Sequence, residues 1–425
     1  LKTSAKHIAS HRIKTPLSFT LSSHGRLKLT ILVATLGYFV DLFDLILFVL
    51  VRVQSLRELN VPAKDMLSTG AFLLSVQMAG LLIGGIGWGV LGDRRGRLSV
   101  LLGSILLYSF ANLANAFVTS VPGYALWRFV AGLGLAGELG AGVTIVSELL
   151  PQRIRGYGST IISSVGLLGA VAAALVAEWV SWRHAYLIGG IIGLCLLALR
   201  LGVRESELFT KLKDSGGVRG SWLRLLSHPR LIGRVALIAL VGVPIWFVIG
   251  IIGTFTPEFG RALNMAELPK VTTAILCLYV GLCVGDAING ALSQWLKSRR
   301  WAVLSALIAV ACLLALYPHV AGISITAYYL TCAGLGCAAG YWAMFVQIAA
   351  ESFGTNYRAT VTTSVPNLVR GAVIPMTMGF QALLPRLGVV DGAMWVGYSV
   401  IAIAVLAILA LPETFHRNLD FQEMI

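Results

Sequence analysis

Two carboxylates, Asp41 and Asp44, sit three residues apart inside the apolar stretch 29–52. An ionisable side chain at bilayer depth costs several kcal/mol unless it is paired or hydrated, so each such residue is a candidate for function. The i, i+3 spacing puts both on one helix face. Two neighbouring carboxylates at low dielectric do not both ionise readily, and a carboxyl able to hold a proton near neutral pH is what a proton-coupling site needs. Asp41, nearer the midplane, is the favoured proton carrier; the alternative is a structural role for one of the two. Arg128 lies roughly 9 Å, and Asp44 roughly 12 Å, below the outer end of its stretch at 1.5 Å per residue. The matching depths predict an Asp44–Arg128 pair. Glu138, between Gly137 and Gly140, is either a second proton site or support for a glycine-rich packing face.

The second half of the chain offers a different chemistry. Arg370 lies near the middle of the apolar stretch 361–385. A buried arginine stays protonated and can hold a carboxylate in a bidentate fork, which makes Arg370 the candidate for an anionic substrate. A salt bridge to Asp286, at similar depth in 271–293, is the alternative role. Asn367 precedes Arg370 by almost one turn, Asn289 shares the face of Asp286, and Gln347 is a further polar candidate. Tyr38, on the Asp41 face, and Trp246 and Tyr341, at suitable depth, would line a cavity with aromatic surface. Trp and Tyr elsewhere are assigned to the membrane interface.

The elements that must carry these residues follow from composition. Hydrophobic residues make up 57% of the chain and charged residues 12%, about half the charged fraction of a soluble domain, with a mean hydropathy of +0.83. A helix spans the hydrocarbon core with about 20 apolar residues. Stretches of that kind fall at 29–52, 68–91, 98–118, 122–147, 157–180, 184–203, 231–256, 271–293, 301–320, 324–349, 361–385 and 390–411. The expected organisation is a tail (1–28), a six-helix bundle (29–203), a polar connector (204–230) with a Gly-rich break at Asp214–Gly217, a second six-helix bundle (231–411) and a tail (412–425). The net charge of +14 is concentrated in connectors on one side, which places both termini in the cytoplasm and argues against nucleic acid. The six cysteines fall inside apolar stretches without metal-ligand spacing.

Between the second and third stretches lies Gly89-Val90-Leu91-Gly92-Asp93-Arg94-Arg95-Gly96-Arg97, one acid and three bases in a tight connector. A degenerate copy, Gly290 to Arg300, occupies the same place in the second half, with Gln294 for Asp93 and Lys297 for Gly96. Glu148 and Arg155 after the fourth stretch match Glu351 and Arg358 after the tenth, an acid preceding a base by seven residues in both. Such repeats are the mark of a duplicated six-helix unit.

The pattern G-x-L-x-D-R-x-G-R at Gly89–Arg97 resembles the cytoplasmic loop signature of the major facilitator superfamily. Arg128 to Glu138 resembles the R-x-x-x-G-x-G-x-G-x-E stretch of its metabolite:proton symporters, and Trp182-Arg183-His184-Ala185-Tyr186 resembles their W-R-x-x-F/Y. Arg204-Glu205-Ser206 and Pro412-Glu413-Thr414 resemble further motifs of the superfamily. Asp41-Leu42-Phe43-Asp44 resembles the D-G-F/Y-D of aromatic acid:proton symporters, with Leu42 in place of Gly. The resemblance implies an all-α membrane fold of twelve transmembrane helices in two six-helix bundles. It also implies a first-span acid released from a fourth-span arginine by protonation, and an eleventh-span arginine facing the cavity. Gly89, Asp93, Arg94, Gly96, Arg97, Glu148, Arg155, Glu351 and Arg358 would form the cytoplasmic gate.

The expected function is secondary transport of a small organic anion with protons by alternating access. The expected setting is the bacterial inner membrane, in contact with lipid, with one chain sufficient as a monomer. A proton-driven exporter of organic ions or drugs, a uniporter and a non-transporting scaffold are the alternatives. The absence of Pro from Ser163 to Val171 speaks against the exporter. No catalytic constellation, metal cluster or nucleotide motif is present in the sequence, so neither enzyme activity nor a cofactor is expected.

Overall fold

A computed structural model of the chain describes residues 23–95, 97–138, 140, 155–200 and 227–415. Every regular element among them is helical. That outcome follows from the sequence, because an apolar segment in lipid must satisfy its backbone groups within itself. The first half comprises α1 (Ser23–Glu58), α2 (Met66–Arg95), α3 (Arg97–Asn115), α4 (Val121–Leu135), α5 (Arg155–Trp179) and α6 (Trp182–Arg200). The second half comprises α7 (Pro229–Phe247) with a π-helical continuation (Val248–Gly253), α8 (Thr256–Ala262), α9 (Val271–Leu296), α10 (Arg299–Val320), α11 (Ile325–Ala338), α12 (Trp342–Ser352), α13 (Thr355–Gly371) and α14 (Val373–Ala410).

Nine apolar runs among the described residues are long enough to cross a membrane. One of them, Thr360–Ala410, holds 51 residues, far more than one crossing needs. Gly388 divides it: its φ of 74° is a left-handed conformation that glycine adopts without steric cost. With α4 and α5, this gives the twelve-helix, two-bundle architecture.

The duplication seen in the sequence is structural. In the first half Gly80 and Gly84 of α2 lie against the backbone carbonyls of Phe129 and Leu133 of α4. In the second half Gly281 and Gly285 of α9 lie in the same way against Ala333 and Cys337 of α11. Each pair follows the small-xxx-small rule of helices that cross in lipid, where close backbone packing replaces the hydrophobic driving force. A Cβ at any of the four would run into a carbonyl oxygen.

Three spans of the second half depart from regular α-helix at mid-depth. The seventh contains Pro244 and then a π-helical turn. The tenth is split between Ala338 and Trp342. The eleventh is perturbed at Ala372, between α13 and α14, where the backbone stays right-handed helical. Non-helical backbone is tolerated at membrane depth only where protein or a cavity covers it, and broken helices mark the binding region of transporters.

Candidate functional site

Along α1 the residues Tyr38, Asp41, Asp44 and Arg52 are all buried. Three residues turn a helix by 300°, so Asp41 and Asp44 point about 60° apart. That rotation separates their partners. Asp41 faces the second half: its Oδ2 accepts from Arg370 Nη2 at 3.2 Å, with the two side chains 0% and 1% exposed. Asp44 faces into the first half, where Gly189 of α6 leaves room for its carboxylate.

Arg370 lies in the last turn of α13, before Ala372. The negative end of a helix dipole favours a cation there. Its guanidinium stands 5.8 Å from the Trp246 ring centroid. Its Nε and Nη1, and Asp41 Oδ1, are buried without a hydrogen-bond partner. The predicted alternative partner, Asp286, is engaged elsewhere. Its Oδ1 accepts from the Ala343 amide at 3.2 Å, capping the first turn of α12 across the break in the tenth span. Asn289 donates to Gly340 O at 2.8 Å and ties the same break. Tyr341 sits in that break and donates to Val241 O at 3.0 Å. Gln347 is half-buried on α12. Asn367 does not join Arg370; it reaches across the halves to Ala136 O at 3.0 Å.

The predicted Asp44–Arg128 ion pair does not form. Both Asp44 oxygens are buried without a hydrogen-bond partner. Arg128 instead donates to Asn112 Oδ1 at 2.9 Å and stacks on the Tyr186 ring at 4.6 Å. Depth alone did not fix direction: α3 and α6 supply nearer partners for the guanidinium than α1 does. Glu138 is held by a partner that sequence reasoning missed, Arg200 at the end of α6. The two form a doubled bridge at 2.8 and 2.7 Å, and Ser104 Oγ donates at 2.7 Å. Gly37, one turn before Asp41, makes room for this bridge.

A second buried pair was also missed. Arg52 donates to both oxygens of Glu258 on α8 at 2.9 Å and to Thr254 O at 3.0 Å. It ties the two halves on the α1–α2 loop side. Nearby, Glu178 of α5 accepts from Lys270 and Thr272 of the second half at 2.7 Å each. Arg52, near the end of its span, resembled an interfacial residue, and its partner lies in the other half of the chain.

On the opposite side, Gly89 is half-buried in α2. Gly96 and Glu148 lie outside the described residues. Asp93, Arg94, Arg97, Arg155 and Arg358 belong to helices, but their side chains lie outside the described set. Glu351 bonds to Arg299 at 3.2 Å and accepts from Thr414 at 2.7 Å. Glu413 receives the Ser298 hydroxyl and the amides of Arg299 and Arg300 at the start of α10. Burial pushes the Glu413 carboxyl up, but these bonds and the Phe415 amide bring it below its ordinary value.

Two helical halves meeting around buried charges, with broken spans beside them, define a class of membrane transporter. The chain belongs to the Major Facilitator Superfamily, whose profile matches residues 34–374. It is 26% identical to the gentisate transporter of Corynebacterium glutamicum over 93% of this chain and 90% of that protein. It is 33% identical to the niacin transporter NiaP of Acinetobacter baylyi over 43% of this chain, a match spanning 42% of that protein. The match to the NiaP protein of Bacillus subtilis likewise spans about half of it, 54%. Among solved structures, a D-xylose–proton symporter shares the fold with a TM-score of 0.68 at 18% identity, covering 92% of this chain and 99% of that one. The chain is therefore a multi-pass membrane protein of this superfamily, and it spans about half the length of the two NiaP relatives it matches.

Proposed function

We propose that the protein carries a small organic carboxylate together with protons by alternating access. In this reading it acts as a single chain surrounded by lipid in a bacterial inner membrane, with both termini in the cytoplasm. The proposed units are the bundles 29–203 and 231–411, joined by the connector 204–230. The observation that carries the substrate class is the state of Arg370. It is a buried guanidinium with one carboxylate partner and two free donors, beside Trp246. A substrate carboxylate takes those donors in place of Asp41. Removing one partner of a buried ion pair costs about 3–5 kcal/mol, so Asp41 leaves the guanidinium at low cost only if it takes up a proton. One anion and one proton then enter together, and the charge of the site is unchanged. Gentisate, the named cargo of one relative, is a carboxylate, in keeping with this reading.

Asp44 provides a second proton position. Protonation costs it no hydrogen bond, because neither oxygen accepts one. Arg128 and Glu138 complete the proton-coupling set through Asn112 and Arg200. Tyr38, Asn367, Tyr341, Gln347, Asp286 and Asn289 shape the substrate region, the last two by holding the broken tenth span in place. The cytoplasmic gate is assigned to the Gly89–Arg97 stretch, Glu148, Arg155, Glu351 and Arg358.

The test is proton movement in proteoliposomes holding an internal pH dye, with a panel of monocarboxylates, aromatic acids, dicarboxylates, amino acids and sugars. One acid should drive inward proton flux. Movement of a carboxylate without protons would identify a uniporter, and movement of cations or neutral drugs alone would remove the assignment of Arg370.

A further inference from the structure

Beyond the Arg52–Glu258 pair, toward the α1–α2 loop, the halves part to leave a funnel of about 740 Å³. Its apolar wall includes Leu50, Val53 and Leu268. Its charged lining is Arg57, Arg261 and Lys270 against Glu58 and Glu178. Both acids are already committed. Glu58 accepts from Arg183 Nε at 2.8 Å and from Trp182 Nε1 at 2.5 Å. Glu178 is filled by Lys270 and Thr272. Glu267, the other acid near Lys270, is not part of the lining. Arg57 on the first half and Arg261 on the second have no ion pair among the described residues. A concave site with two uncompensated guanidinium groups over apolar walls suits a small anion with an apolar body.

We infer that this funnel is a second binding site for organic carboxylates, a vestibule on the α1–α2 loop side in which Arg57 and Arg261 hold the anion. The inference rests on the anionic-substrate reading of Arg370. Its chemistry is that of a steering site: it raises the local anion concentration and weakens as salt screens it.

The experiment is equilibrium binding of radiolabelled benzoate to the purified full chain in detergent at low ionic strength. Two classes of site are expected, and only the weaker should fade as salt rises. The double variant Arg57→Gln/Arg261→Gln should lose the weaker class and keep the tighter one, while Arg57→Lys/Arg261→Lys keeps both. In uptake, the Gln variant should lower kcat/KM on the order of threefold to tenfold at low salt with kcat unchanged. Two classes retained in the Gln variant, or no weak class in the unaltered protein, would overturn the vestibule. Displacement of weakly bound benzoate by inorganic phosphate at equal concentration would overturn its organic-acid preference. Arg370→Gln separates the two readings: it should remove the tight class and spare the weak one. Survival of the tight class would count against the central site alone, leaving the Arg57/Arg261 variants to decide the vestibule.

Discussion

The two halves of this chain share a frame and differ in what they bury. Gly80 and Gly84 in the first half and Gly281 and Gly285 in the second seat the same helix crossing. Yet the first half encloses Asp41, Asp44, Arg128, Glu138 and Arg200, each no more than 2% exposed, with Glu138 just beyond the turn at Ala136–Gly137 that ends α4. The second half carries a π-helical turn in its seventh span and a break in its tenth, and places Arg370 in the last turn of α13, beside the perturbed Ala372. Duplication preserved the close crossings, where backbone meets backbone and no side chain fits. It left the cavity-facing positions free to diverge. On the proposed reading, the first half handles protons and the second half shapes the substrate region, and the Asp41–Arg370 pair is where they meet.

The largest effect should come from breaking that meeting point on the substrate side. Arg370→Gln is expected to lower carboxylate uptake by about 100-fold or more, and Arg370→Lys to recover little, because an ammonium keeps the charge but not the fork. Uptake assays with surface-expression controls read this directly. Next is the closure between halves. Glu258→Gln leaves Arg52 buried without its carboxylate, a cost of about 3–5 kcal/mol to the closed state. Spin labels at Gln54 and Leu268 should report a longer distance in the variant; an unchanged distance would mean that the pair does not hold the halves together. The shared frame comes third. Gly84→Val and Gly285→Val should each lower the thermal midpoint in detergent, by about 1–3 kcal/mol in stability. Gly290→Ala, with open space around it, should be neutral. A difference between the two Val variants would measure how far the halves have diverged as scaffolds.

The smallest effect concerns pH. Glu413 has its carboxyl held below the ordinary value, so its contribution is full at neutral pH and is lost as pH falls through that lowered value. The difference in thermal midpoint between the unaltered chain and Glu413→Gln should therefore shrink on acidification. A difference that grows instead would reverse the assignment.

The number and order of the spans were legible because length and apolarity are local properties, and the repeats set the two halves in register. The partners of the buried charges were not. Asp44 and Arg128 match in depth, but helix rotation, which a single sequence does not fix, turns Arg128 toward Asn112 and Tyr186. Asp286 was weighed as the partner of Arg370 because the break in the tenth span went unread; Gly340 was the available signal, and the freed Ala343 amide takes the Asp286 carboxylate. Arg200 and Arg52 sit at span ends, where an arginine conventionally marks topology. The signal that would have found Arg200 was Glu138 itself, a buried acid that needed a cation.

The central claim is that Asp41 leaves Arg370 by taking a proton while substrate takes its place. The direct measurement compares two modes of transport of one labelled carboxylate in proteoliposomes carrying Asp41→Asn. Counterflow exchange needs only substrate binding and should persist, whereas accumulation driven by an imposed proton gradient should be lost. Uphill accumulation by Asp41→Asn at the unaltered rate would contradict the account and move the proton elsewhere.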